Sequence, residues 1–312
     1  MRIAVVGSGG LGGYLGGRLA AAGRDVHFVA RGAHLEALRR HGLTVQSPTE
    51  GFSVRAVRAT ADAREIGRVD YVLLGVRTWQ VASALAGSGP LIGPGTAVLT
   101  LQNGVRTPEE VAAVFGRDAV LPGVAKVIAY LDSPGRIHHV GSAGTLTFGE
   151  WDNRVTERVE RLRDALGDAG LNPVVAEDVW ADLWTKFLLV APPGGLGAVA
   201  DAPVGALRSH PGTRGLLVDA MTEVHRVAEA LGVRLPADVV GTTVALLDRQ
   251  PPAGISSLHR DIRSGKPSEL EAWIGAVVHL GARTATATPV HRFLYEVLSL
   301  RAAQTALTTE WP

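Results

Sequence analysis

The 312-residue chain contains no cysteine. Disulfides, thiolate nucleophiles and thiolate-bound metals are excluded with it. It also lacks a long apolar run: no segment has the roughly 18 or more uninterrupted apolar residues of a membrane span. The first such run, Ile3–Val6, gives way at once to glycine, with no long h-region and no cleavage site after it. A membrane partner is therefore not expected, and the cytoplasm is the simplest location. Charge of one sign is missing too. Thirty-one Lys and Arg stand against 30 Asp and Glu, for a formal net charge of +1. With the arginines dispersed, no nucleic-acid or polyanion partner is indicated. H-E-x-x-H and G-x-S-x-G are absent, which argues against a zinc peptidase and an α/β-hydrolase. The histidines form no metal-ligand pattern: His138 and His139 adjoin on an extended run and point to opposite faces. No metal is expected.

Hydrophobic residues make up 46% of the chain, enough at this length for two cored domains. In the first half, apolar runs at Ile3–Val6, Val26–Val29, Tyr71–Val76 and Ala97–Leu101 alternate with helical stretches. Near-continuous apolar strands alternating with helices imply a parallel sheet covered on both faces. Val120–Tyr130, Arg136–His139 and Thr145–Phe148 read as a β-meander closing the domain. From Asp178 on, almost every stretch has helical periodicity, with breaks at "PPGG" (Pro192–Gly195) and "RQPPAG" (Arg249–Gly254). The expected organisation is an α/β dinucleotide-binding domain of Rossmann type over residues 1–173 and an all-α domain over 174–312.

Directly after the first strand comes Gly7-Ser8-Gly9-Gly10-Leu11-Gly12, a G-x-G-x-x-G that opens an amphipathic helix. In that context the pattern points to a dinucleotide. Gly7 makes the tight turn, Gly9 admits a pyrophosphate to the helix N-terminus, and Gly12 lets helix and strand pack closely. Arg31 stands at the end of the second strand, where an acid would bind a free ribose 2′-hydroxyl. A guanidinium instead attracts a 2′-phosphate, so NADP(H) is the expected cofactor. The alternative is a solvated loop arginine. Arg77, ending the strand that starts at Tyr71, is either a further cofactor contact or an exposed loop residue.

In "DVWADLWTKFLLV", Lys186 shares a helix face with Val179, Leu183 and Val190. An ammonium in an apolar stripe needs a partner, or it snorkels to the surface. A lysine held there can donate a proton or polarise a carbonyl. In "SSLHRDIRSGKPSELEAWIG", Ser268 and Glu271 read as a capping box. Glu269 reads as a first-turn acid favoured by the helix dipole. Lys126, at the end of a strand, is an exposed lysine unless it lends charge to the site.

These segments resemble the ketopantoate reductase (2-dehydropantoate 2-reductase) family. The resemblance is carried by "GSGGLGGYLGGRLAAAGRDVHFVARGAHLEALRRHGL", "LLGVRTWQV", "LQNGV", "WTKFLL" and "SSLHRDIRSGKPSELE", and runs essentially end to end. It implies a Rossmann domain, a helical domain, an active site in a cleft, and NADPH-dependent reduction of a 2-oxo acid to a 2-hydroxy acid. Pantothenate and CoA synthesis would be its setting. By position, it implies Lys186 as proton donor and Glu269 as the group on the substrate's hydroxyl side. It further implies Asn103 beside nicotinamide and substrate, and Ser256 or Ser257 at the substrate carboxylate. A homodimer built on the long C-terminal helices is the expected assembly.

The chain also departs from the pattern. Family members usually carry asparagines four and eight residues after the lysine; here Val190 and Gly194 stand there. An apolar neighbour removes polar contacts around the lysine, and the prolines that follow should end the helix. This suggests a shifted, less polar substrate. Two other readings are a divergent member acting on another carbonyl or an imine, and a non-catalytic NADP-binding sensor.

Overall fold

A computed structural model describes residues 1–309. The chain divides into two compact units, one of Met1–Gln102 and Thr107–Val179, the other of Asn103–Arg106 and Trp180–Pro312. The first unit runs β1 (Arg2–Val6), α1 (Gly10–Ala21), β2 (Asp25–Val29), α2 (Gly32–His41), β3 (Leu43–Gln46), β4 (Phe52–Val54), β5 (Arg58–Thr60), β6 (Tyr71–Leu74), α3 (Val81–Ser88), β7 (Ala97–Thr100), α4 (Thr107–Phe115), β8 (Val120–Leu121), β9 (Gly123–Ser133), β10 (Arg136–Phe148), α5 (Glu157–Asp168) and β11 (Pro173–Val175). The second contains α6 (Val179–Ala200, from Trp180 on), α7 (Val204–Ser209), α8 (Pro211–Ala230), α9 (Val239–Arg249), α10 (Ser257–Arg263), a π-helical turn at Glu271–Gly275, α11 (Ala276–Arg283) and α12 (Pro289–Thr309).

Six parallel strands form the main sheet in the order β5-β2-β1-β6-β7-β8. β1 lies in the middle, pairing Ile3 with Val26 on one side and with Tyr71 on the other. The chain first winds outward from β1 through β2 to β5, then returns and winds the other way. The strand order therefore reverses between β1 and β6, where open α/β sheets bind ligands at the carboxyl ends of their strands. Alternate residues of β1 serve two cores: Ile3 and Val5 join the cluster with Leu15, Phe28 and Leu73, while Ala4 and Val6 join Val72, Leu74 and Val98. This is the Rossmann-type α/β unit with an all-α second unit that the periodicity implied.

The meander differs from expectation. Pro122 cannot donate to a ladder and interrupts Val120–Tyr130 between β8 and β9. Arg136–His139 and Thr145–Phe148 are one strand, β10, carrying a register shift between Val140 and Thr145. β10 belongs to a second sheet, ordered β11-β10-β3-β4, with β9 paired to β10. β3 and β4 are short and half polar, which left them unread in the sequence.

α6 was expected to stop before Pro192 and Pro193; instead both lie inside it. Each proline removes one backbone donor. Burial outweighs that loss: Ala191, Leu196 and Ala198 lie in the core, and Gly195 seats against Ile274 and Leu294. By length and mean hydropathy α6 could cross a membrane, but 61% of its apolar window is buried inside the protein, as in a core helix. Elsewhere in the second unit, Glu223 is a buried carboxylate that accepts the backbone N–H groups of Val290 and His291 at the start of α12.

Candidate active site

β1 delivers the glycine-rich turn to the N-terminus of α1. Gly7 has φ +91, and a Cβ on it would stand 2.6 Å from the Val76 nitrogen, so no other residue fits without strain. A Cβ on Gly12 would run into the Gly7 carbonyl. Around Gly9 the opposite holds, with nothing within 4 Å of where a Cβ would be. No side chain caps α1, and no acid occupies its first turn. Next to it, the Ser8 hydroxyl is buried without a hydrogen-bond partner. An uncapped helix end, open space before it and an unpaired donor together form a cradle for an anionic oxygen.

His34 holds this turn, and its role was not legible in the sequence. Its Nδ1 accepts from the Gly135 N–H at 3.1 Å, so the proton sits on Nε2, which donates to the Ser8 carbonyl at 2.8 Å. Only the neutral imidazole can do both. Burial holds its pKa below the ordinary 6.5, with the Ser8 carbonyl pulling the other way. The stabilisation is thus complete above 6.5 and is lost as pH falls towards the folded-state value. His34→Ala should cost about 1–2 kcal/mol at neutral pH, a fall of roughly 2–6 °C in melting temperature. That deficit should shrink in acid. Melting curves against pH would test this, and a pH-independent deficit would refute the neutral clamp.

Arg31 is exposed at the carboxyl end of β2, as the N-cap position of α2, and its side chain makes no capping bond. Arg77 is exposed beyond the end of β6, its guanidinium carbon 5.6 Å from the Trp79 ring centre. Lys126 is an exposed residue of β9.

The second unit brings together residues far apart in sequence. Lys186 is half-buried on α6, and its Nζ donates to Asn103 Oδ1 at 2.7 Å. The lysine therefore has a partner and does not simply snorkel. The Asn103 segment continues through Gly104, where φ is +109 and a Cβ would lie 3.0 Å from the Ala272 carbonyl. Ala272 belongs to the π-helical turn, whose residue Trp273 donates its backbone N–H to the Glu269 carbonyl at 3.0 Å. π-turns inside helices occur frequently at functional sites. Glu269 is 4% exposed, an unusual setting for a carboxylate. Ser268 and Glu271 form no capping box: the helix begins at Leu270 with no side-chain cap. The helix opens at Leu270, two residues past Ser268, so Ser268 does not stand at the cap position the box needs. Glu271 instead accepts from Tyr295 Oη at 2.7 Å and pairs with His279.

Ser256 caps α10, its Oγ accepting the His259 N–H at 3.0 Å, which leaves its own proton to donate. His259 in turn bonds Asp201 through Nε2 at 2.8 Å. That bond is the main reason the Asp201 carboxyl is held below its usual range. Ser257 is the half-buried first residue of α10.

Comparison with known proteins decides the family. The family described as ketopantoate reductase PanE/ApbA matches residues 3–153, and its C-terminal counterpart matches residues 178–302. The chain belongs to the ketopantoate reductase family. As a member it is an oxidoreductase acting on CH–OH groups. It is 33% identical to a protein of Mesorhizobium japonicum named 2-dehydropantoate 2-reductase, over 93% of this chain and 94% of that one. It is 27% identical to the uncharacterized oxidoreductase YkpB of Bacillus subtilis, over 97% and 100% of the two chains. The crystal structure of 2-dehydropantoate 2-reductase from Geobacter metallireducens GS-15 superposes with a TM-score of 0.89 at 32% identity, covering 96% of this chain and 99% of that one. Within this family fold, the chain presents Val190 and Gly194 one and two turns beyond Lys186.

Proposed function

We propose that the chain reduces a 2-oxo acid to a 2-hydroxy acid with NADPH, and that 2-dehydropantoate, the substrate named for its relatives, is the first to test. The observation that carries this reading is the Lys186–Asn103 hydrogen bond. It fixes an ammonium at a half-buried position, where a pure binding protein has no use for it.

The cradle at Gly7–Gly12 fits a dinucleotide pyrophosphate. Gly9 leaves the approach open, and the backbone of Gly9, Gly10 and Leu11 and the Ser8 hydroxyl supply donors. Arg31 would hold a 2′-phosphate, with Arg77 as a second contact. When bound, the reduced nicotinamide supplies the hydride for the keto carbon. Lys186 donates the proton that turns the resulting alkoxide into a hydroxyl, and its positive charge stabilises the oxygen beforehand. Asn103 aims the ammonium through Oδ1, leaving its amide N–H groups for the nicotinamide or the substrate. Glu269 accepts from the newly formed hydroxyl. The Ser256 proton is available to the substrate carboxylate, with Ser257 as its neighbour. The same reading makes the protein a cytoplasmic homodimer without membrane or nucleic-acid partners.

The test follows NADPH consumption by absorbance with a panel of 2-oxo acids that includes 2-dehydropantoate, with NADH in parallel. NADPH-dependent turnover of at least one 2-oxo acid is the expected result. Tight NADPH binding with no turnover of any would overturn the reductase reading. Consumption only when an amine accompanies the oxo acid would replace it with imine reduction.

A further inference from the structure

The face of α6 that carries Lys186 changes character along its length. From Asp182 to Pro193 the partly accessible positions are Asp182, Thr185, Lys186, Leu189, Val190 and Pro193, the spacing of a single helix face. The first three are polar and the last three apolar. Leu189 and Val190, three and four residues after Lys186, are its surface neighbours. Helical side chains lean towards the N-terminus, so Val190 covers the ground beside the lysine's own backbone. Beyond Pro193 the face closes. A Cβ on Gly194 would lie 3.0 Å from Cζ3 of Trp273, which is 2% exposed, and 3.4 Å from Ser256 Oγ. No polar side chain of α6 follows Lys186 on this face before it is buried.

We propose that Leu189, Val190 and Pro193 form the wall against which the carbon-3 substituent of the 2-oxo acid packs. The preferred substrate is then a branched aliphatic or aromatic 2-oxo acid with no hydroxyl on that substituent, in place of 2-dehydropantoate. The proposal rests on the reductase reading above. A hydroxyl pressed against Leu189 and Val190 gives up its water and gains no partner, whereas a methyl group at the same point loses nothing. Glu269 serves the reacting oxygen and is not part of this wall. Apolar pockets reject an added hydroxyl by up to about a hundredfold, which bounds the expected selectivity.

A matched pair of substrates tests this directly, because 3,3-dimethyl-2-oxobutanoate is 2-dehydropantoate without its hydroxyl. The expected result is a kcat/KM for the hydroxyl-free acid about 10- to 100-fold higher. Val190→Thr keeps the side-chain volume and places a hydroxyl on the wall, and it should narrow that ratio about tenfold. Val190→Asn, at the same half-buried position, should narrow it further. Preference of the wild type for 2-dehydropantoate overturns the proposal. An unchanged ratio in both variants, each with wild-type melting behaviour, overturns the placement of the wall. Failure of every 2-oxo acid with NADPH is a different outcome: it removes the reductase reading, and this proposal with it.

Discussion

Lys186→Ala is expected to lower kcat by about 100- to 10,000-fold, the usual contribution of a positioned acid or base. The expectation follows from the hydrogen bond to Asn103 Oδ1 at 2.7 Å, which holds the ammonium in one place. On the proposed mechanism, loss of the lysine removes both the proton and the charge that would stabilise the alkoxide. Lys186→Arg separates the two effects. Arginine keeps the charge but does not give up a proton at accessible pH, and its planar fork suits the Asn103 carbonyl differently. If proton donation dominates, Lys186→Arg falls nearly as far as Lys186→Ala. If charge dominates, arginine restores most of the rate. Binding of NADPH is the control, since the glycine-rich turn and Arg31 belong to the other compact unit. Its dissociation constant should move less than about threefold in either variant. Wild-type kcat in Lys186→Ala would remove the lysine from the mechanism.

Much of the first unit was legible in the sequence because its signals are local. β1, the turn and α1 adjoin in the chain, so a strand-turn-helix reading needs no knowledge of the rest. The place of Arg31 at the end of the next strand is local in the same way. The site around Lys186 was only half legible. Helical periodicity marked the lysine as oddly placed, but its partner lies 83 residues earlier, and only the folded chain brings Asn103 to it. His34 stood unremarked on α2 because its two acceptor and donor partners, Ser8 and Gly135, are 26 and 101 residues away. A local reading ends α6 early because two prolines weigh heavily in it, whereas the burial of Ala191 and Leu196 is a tertiary effect. The capping box fails because the helix opens at Leu270, two residues past Ser268, an offset that no short pattern announces.

On the proposed NADPH reading, Arg31→Asp is expected to reverse the cofactor preference. In the wild type the exposed guanidinium stands at the carboxyl end of β2 with no capping duty, free to meet a phosphate. A charge-assisted pair of this kind contributes about 1.5–3 kcal/mol, so Arg31→Ala should lower kcat/KM for NADPH by roughly 10- to 100-fold. Aspartate adds repulsion of the 2′-phosphate and offers acceptors to a free 2′-hydroxyl. The NADPH-to-NADH ratio should therefore fall more than a hundredfold, mostly through KM, with kcat for NADPH at saturation little changed. Salt provides a second check. The site is open to solvent, so wild-type KM for NADPH should rise with ionic strength while the Arg31→Ala value rises less. Because α2 keeps its backbone N-cap geometry, melting temperature should stay within a degree or two of wild type. Equal use of NADPH and NADH by the wild type, or an Arg31→Asp ratio unchanged from wild type, would mean that Arg31 is only a solvated residue at the head of α2. A 2′-phosphate preference would then have to come from another side chain, with Arg77 the next to replace.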